Sequence, residues 1–206
     1  MPVLQGVSDI NDYPYRSRRY VLRSEVSADD IDEFALARDW PHVHENPRDR
    51  DGGIDGQLIW QGLPDVALHF VVDATSGVAY AVFTGASESA TDPVRRQFLD
   101  EVPLWALDEL FEAFDSAEDE RVRAQHALRI GFAAAAEFDD EVFRRIVETI
   151  GDDDPRVRYA GIWAATYTGY RQFVPALRRV SLEDPEDFVR SRAISVVRAF
   201  ESEGGR

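Results

Sequence analysis

From about residue 102 onward, apolar residues recur every three or four positions; through much of the first hundred they alternate or run in short β-branched stretches. These are the two periods with which a chain aims side chains at a core, 3.6 along a helix and 2 along a strand. In the second half, PLWALDELFEAF, EVFRRIVETI and FVPALRRVSL carry the helical period. Each is followed by an acidic turn and a second helical stretch: ERVRAQHALRIGF, PRVRYAGIWAATY and FVRSRAISVVRAF. The Val-Arg pair recurs at Val122-Arg123, Val157-Arg158 and Val189-Arg190, at intervals of 35 and 32 residues. That spacing fits stacked two-helix repeats, which bury a continuous core only by piling on their neighbours.

Before two of these pairs stand Asp154-Pro155 and Asp184-Pro185. Proline suits a first helical turn, where its missing N–H would have no partner in any case. The preceding aspartate accepts bonds from the free N–H groups and complements the positive helix end. With small residues following, this arrangement resembles the HEAT-repeat family over about residues 102–202. The first repeat departs from it: Pro is missing, and His126 falls where the others have Gly161 and Ala193. The resemblance implies an α-solenoid with a binding role, and it implies that Asp152 with Arg158 and Asp184 with Arg190 act as structural bonds bridging adjacent repeats.

The first hundred residues predict a different architecture. SRRYVLRSEV (17–26) reads as a strand and SADDIDEFALARDW (27–40) as an amphipathic helix with Ser27 as N-cap. QLIWQ (57–61), VALHFVV (66–72) and VAYAVFTG (78–85) read as strands. DATSG (73–77) joins the last two as a hairpin in which Gly77 takes positive φ. Leu68, Phe70 and Val72 are expected on one face with Val78, Tyr80 and Val82 beneath them. ENPRDRDGGIDG (45–56) reads as a mobile loop, and SATDPVRRQFLDEV (89–102) as a helix leading into the repeats. The expected fold class is α+β: a 1–16 extension, a small α+β domain over 17–100 capping a solenoid of about three repeats over 101–202, and a disordered tail at 203–206. An end repeat needs such a cap, because a bare apolar face aggregates.

Two features point to a binding surface. In RYAGIWAATYTGY (158–170), Val157, Ala160, Gly161, Ala164 and Ala165 occupy the packing positions. Tyr159, Trp163, Tyr167 and Tyr170 then form a stripe aimed at the concave face; aromatics with a polar handle are favoured anchors. The competing expectation is that the stripe is core. The turns 115–121, 151–156 and 183–187 carry eleven carboxylates, among them Asp119, Glu120, Asp152, Asp153, Glu183, Glu186 and Asp187. Stacking would gather them along one edge, as a docking strip for a basic partner or as helix caps with a solvated rim.

Composition narrows the function. With 44% hydrophobic residues the 206-residue chain can bury a core. No run approaches the roughly 20 apolar residues of a membrane helix, and the start lacks a signal-peptide pattern. Cysteine is absent, excluding disulfides, thiolate catalysis and sulfur-bound zinc, and all 23 basic residues are arginine, a bias typical of GC-rich bacterial coding. The net charge of -16 is shared equally between the halves and repels nucleic acid and anionic membranes while steering a basic partner inward. His42-x-His44 is a weak metal pair, His69 and His126 read as packed residues, and no P-loop, G-x-S-x-G or HExxH pattern occurs. The reading is a cytoplasmic, non-enzymatic interaction protein without cofactor or metal, a monomer or homodimer whose charge favours a basic protein partner. One form of it is a bacterial immunity protein that neutralises a toxin. The alternatives are a HEAT-like nucleic-acid-processing or lyase-type enzyme, in which Arg144, Arg145, Arg178 and Arg179 would supply a basic groove, and a structural scaffold subunit.

Overall fold

The computed structural model describes residues 13–63 and 65–203. Most of the expected N-terminal extension, residues 1–12, and residues 204–206 of the tail lie outside the described residues. The chain divides into two compact units, Met1–Trp105 and Ala106–Arg206.

The first unit is built on an antiparallel sheet. Its strands are β1 (Tyr15–Arg16), β2 (Tyr20–Val21), β3 (His42–Asn46), β4 (Gly56–Leu63), β5 (Val66–Val72) and β6 (Ala79–Gly85), in the order β1-β6-β5-β4-β3 with β2 also on β6. Helix α1 (Ala28–Leu36) and helix α2 (Glu88–Glu101) cover one face. Ser27 caps α1 as expected, accepting from the Asp30 N–H in a capping box with the Asp30 carboxylate. Under the sheet, Phe34, Phe83 and Phe98 meet edge to face with centroids 5.2 and 5.4 Å apart, the geometry aromatic quadrupoles prefer. Burying each such ring stabilises the fold by about 2–3 kcal/mol.

Four expectations need correction here. The 17–26 stretch is not one strand. Ser17 exchanges bonds with Phe83 through both its N–H and its hydroxyl, and the register on β6 moves by one between Arg16 and Tyr20. The helix expected to 40 stops at Leu36, and Asp39 takes φ 56° so that Trp40 turns back into the core. The 73–77 hairpin forms with Gly77 at φ 72°, but Asp73 and Val78 close it, so Val72, Phe70 and Leu68 pair with Ala79, Ala81 and Phe83. Tyr80 and Val82 therefore sit on the opposite face, because a shift of one residue inverts a strand. The 45–56 stretch is largely a hairpin arm: β3 pairs with β4, and Asp49 bridges Ile54 while its carboxylate accepts from the N–H groups of Asp51 and Gly52.

The second unit is a run of helices: α3 (Leu107–Asp115), α4 (Glu120–Ala133), α5 (Asp140–Ile150), α6 (Pro155–Thr168), α7 (Val174–Glu183) and α8 (Asp187–Glu203), with a 3-10 turn at Arg171–Phe173 before α7. α3 packs on α4, α5 on α6 and α7 on α8, and α6 also lies against both α4 and α8. Each helical hairpin thus stacks through its second helix. Asp119, Asp139 and Asp154 cap α4, α5 and α6 through side-chain bonds to backbone N–H groups. α6 ends at Gly169 in the left-handed region. Small residues let the second helices approach closely: Gly161, Ala164 and Ala165 are buried as expected, and Gly131 of α4 lies against the backbone of Ala164.

Candidate partner-binding site

The turns that open the second helices lie side by side, and arginines fasten them together. Arg123 donates to the Asp152 carboxylate of the following repeat at 2.7 Å. Arg158 donates to both oxygens of Asp184 in the repeat after that, at 2.7 and 3.0 Å. The same guanidinium also bonds the carbonyls of Asp152 and Asp153 at 2.9 Å. Aspartate–arginine bonds thus bridge adjacent repeats as the resemblance implied, but the partners are corrected from Asp152–Arg158 and Asp184–Arg190 to Arg123–Asp152 and Arg158–Asp184. Within a turn the arginine reaches backbone oxygen, and its side-chain partner belongs to the next repeat. Arg190, in the last of these repeats, turns back on Asp187 and the Asp184 carbonyl.

This lattice separates the eleven turn carboxylates into two groups. Asp115, Asp119, Asp152, Asp154, Asp184 and Asp187 bond arginines or helix N–H groups. Asp152 thus leaves the docking strip: its side chain is 8% exposed and held by Arg123. Glu118, Glu120, Asp153, Glu183 and Glu186 are exposed and form no ion pair among the described residues. They belong to the same three turns as the exposed Asp119 and Asp187.

Beside that edge runs the aromatic row. The Tyr159 and Phe188 rings lie 5.6 Å apart, Trp163 stacks on Tyr167 at 5.8 Å, and Tyr167 stacks on Phe132 at 3.9 Å. Tyr159, Trp163 and Tyr167 are half-buried, and Phe188 is 44% exposed. Tyr170 does not continue the stripe. The chain reverses at Gly169, so Tyr170 is buried against Phe138 and Phe173, and its hydroxyl donates to the Glu137 carbonyl at 2.7 Å. Arg192 of α8 lies over the Trp163 ring at 4.0 Å and reaches the Tyr159 hydroxyl at 3.4 Å. Burial opposes ionisation of Tyr159, but the N–H groups of Arg192 and Trp163 and the charge of Arg192 outweigh it and hold the phenol below its ordinary value. Phe188 and Arg192 escaped the sequence reading. The available signal was positional: Phe188 precedes Val189-Arg190 where the other two repeats have Arg121 and Arg156.

Other candidate chemistry resolves into structure. A bulge between His42 and His44 sets them opposite Trp60 and Ile59, which point to opposite faces, so the pair cannot grip an ion from one side. His69 is buried between Thr84, 2.7 Å away, and Gln57, and burial with the nearby Arg16 charge pushes its pKa down to about 4. Arg145 is buried against Asp115 and Glu141, Arg144 pairs with Glu141 and Glu148, and Arg178 with Glu201, which neutralises most of the expected basic groove. Among the described residues no group of three His, Asp or Glu is poised for a metal, and no helix is long and apolar enough to cross a membrane.

Comparison with known proteins finds no match among curated proteins and none among solved structures. The family model for HEAT repeats matches residues 106–198, a span that begins with the second unit and covers α3 to α7 and most of α8. Residues 106–198 of the chain therefore match HEAT repeats, a kind of module that commonly serves protein–protein interaction.

Proposed function

We propose that the chain is a non-enzymatic interaction protein whose HEAT repeats grip a basic protein partner along the turn edge and the adjoining aromatic row. The observation that carries this reading is the division of the turn carboxylates. The fold uses six, and five more stand exposed and unpaired beside the half-buried rings of Tyr159 and Trp163 and the exposed ring of Phe188. Unpaired like charges on one edge repel one another, which offsets the small favourable field of Glu186 at Arg158 and of Glu120 at the start of α4, while together they favour approach of a positive surface. A concrete biological form is an immunity protein that shields the basic substrate groove of a toxin.

Neutralising the edge with Glu120→Gln, Asp153→Asn, Glu183→Gln and Glu186→Gln together is expected to leave thermal stability unchanged or slightly raised. Association with partners recovered from the native host should slow by about 10- to 100-fold at low salt, converging with the parent at high salt. Stopped-flow or surface-based rates across a salt series read this directly. Recovery of only acidic partners, or rates indifferent to the four substitutions, rules the reading out.

A further inference from the structure

The edge attracts positive charge, yet the row beside it is built for the opposite sign. Three donors converge there: the Arg192 guanidinium over Trp163, the Trp163 indole N–H and the Tyr159 hydroxyl. The indole N–H is shielded from solvent and completes no hydrogen bond of normal geometry. Among the described residues Arg192 holds no carboxylate, like the exposed Arg121, Arg156, Arg171, Arg179 and Arg198, whereas the half-buried Arg123, Arg158 and Arg190 and the buried Arg145 each hold one. In a chain with 39 acidic residues, a half-buried guanidinium with no carboxylate among the described residues retains donor capacity for an acceptor.

We propose that this cluster is an anchor point for a carboxylate of the protein partner, an aspartate or glutamate side chain held by Arg192, the Trp163 N–H and the Tyr159 hydroxyl. The inference rests on the reading of the HEAT repeats as a protein-binding surface and names the group that fixes its register. Arg192 spends one nitrogen on the Tyr159 hydroxyl, and its planar fork still carries further N–H donors of the kind a carboxylate accepts. A phenol more acidic than usual is the stronger donor while it keeps its proton. The Phe188 and Tyr159 rings wall the site and lower the local dielectric, which strengthens a charge-assisted bond. A partner segment carrying many anionic groups would meet the edge carboxylates and be repelled; a single acid among basic residues would match both signs at once. Nucleic acid is therefore disfavoured and a protein segment of mixed charge favoured.

Panning a random dodecapeptide library against the full chain, with the Arg192→Gln variant as counter-screen, tests this. Peptides enriched on the parent should carry one Asp or Glu beside Lys or Arg. Changing that acid to its amide should weaken binding by about tenfold, and Arg192→Gln by a similar factor. Trp163→Phe keeps an aromatic face but removes the donor together with the five-membered ring; it should cost about three- to fivefold in affinity, with thermal stability measured alongside so that lost packing is separated from the lost donor. Arg192→Lys should retain part of the affinity. Equal enrichment on Arg192→Gln, equal binding of acid and amide peptides, or displacement by a single-stranded oligonucleotide overturns the proposal. The two readings separate cleanly. Loss of binding on neutralising the edge, with no preference for acid over amide, sinks the anchor and leaves the basic partner standing. A carboxylate requirement in peptides lacking basic residues does the reverse.

Discussion

Replacing Asp184 by alanine is expected to destabilise the second unit by about 2–3 kcal/mol, far more than any change to the exposed glutamates beside it. The Asp184 side chain is 3% exposed and that of Arg158 is 11% exposed. Removing one member of so covered a pair leaves the other charged and desolvated, which typically costs about 3–5 kcal/mol. Arg158 keeps the carbonyls of Asp152 and Asp153 as acceptors, and this places the loss below that range. Asp184 also accepts from the Glu186 N–H, so the turn itself loosens. Urea unfolding followed by far-UV circular dichroism measures the effect. Replacing both partners with apolar residues, Arg158→Met with Asp184→Leu, should cost less than the single change because no charge is stranded. A single variant within about 0.5 kcal/mol of the parent would show that the inter-repeat lattice is ornamental.

The same pair sets a pH signature. The Arg158 guanidinium, aided by the Glu186 N–H, holds the Asp184 carboxyl below its ordinary value against the opposing effect of burial. A depressed folded value means the unfolded chain binds the proton first as pH falls. The stabilisation is complete above the ordinary aspartate value of 3.8 and is lost as pH drops below it through the folded value. Asp184→Asn should flatten that part of the stability profile and leave the neutral-pH baseline lower throughout.

The repeat pattern was legible because it is local and periodic. Of the residues expected on the packing face, the structure buries Val157, Gly161, Ala164 and Ala165 and leaves Ala160 half-buried. The Asp-Pro-x-Val-Arg signature likewise predicted a capped helix, which Asp154 and Pro155 form. What the sequence hid was partnership at a distance. Arg158 and Asp152 are six positions apart, and nothing local distinguishes a bond inside the turn from one to Asp184 in the next repeat. The 66–85 hairpin failed similarly: both registers bury apolar residues on both faces, because Val71, Tyr80 and Val82 are buried as deeply as Leu68 and Phe83. An alternating pattern fixes register only when one face is polar. Tyr170 was misread for a third reason, since helical spacing loses its meaning once Gly169 reverses the chain.

The candidate site follows from the same division between local and distant determinants. Each turn supplies aspartates that the stack consumes and carboxylates that it leaves alone, glutamates in the first and third turns and Asp153 in the second. In the 183–187 turn, Asp184 is locked to Arg158 while Glu183 and Glu186 face solvent. Structural and recognition roles thus interleave within a few residues, so a charge count along the edge overstates the surface offered to a partner. Variants that test recognition must spare Asp152, Asp154 and Asp184, whose loss would act through folding.

Gly131→Val is expected to disrupt the repeat stack outright, at about 4 kcal/mol or more, because the space its side chain needs is occupied by backbone. A Cβ at Gly131 would stand 2.5 Å from the Ala164 carbonyl oxygen and 2.9 Å from its Cα. Neither atom can rotate away, so α4 and α6 would have to separate, opening the contact that carries Ala127, Ile130, Ala164 and Ala165 in the core. Gly131→Ala tests the clash more finely. Alanine gains about 1 kcal/mol over glycine in a helix interior, while overpacking typically costs about 1–3 kcal/mol; with backbone on the receiving side the cost should prevail. Gly151→Ala is the control, since its Cβ meets only the Val147 and Glu148 carbonyl oxygens at an ordinary 3.6 Å and its φ of -94° suits any residue. Gly151→Ala should unfold with the parent in urea while Gly131→Ala unfolds earlier. A Gly131→Ala chain as stable as the parent would mean that the second helices do not approach as closely as the packing of α4 on α6 requires, and the side-by-side turns that gather the exposed carboxylates would lose their foundation.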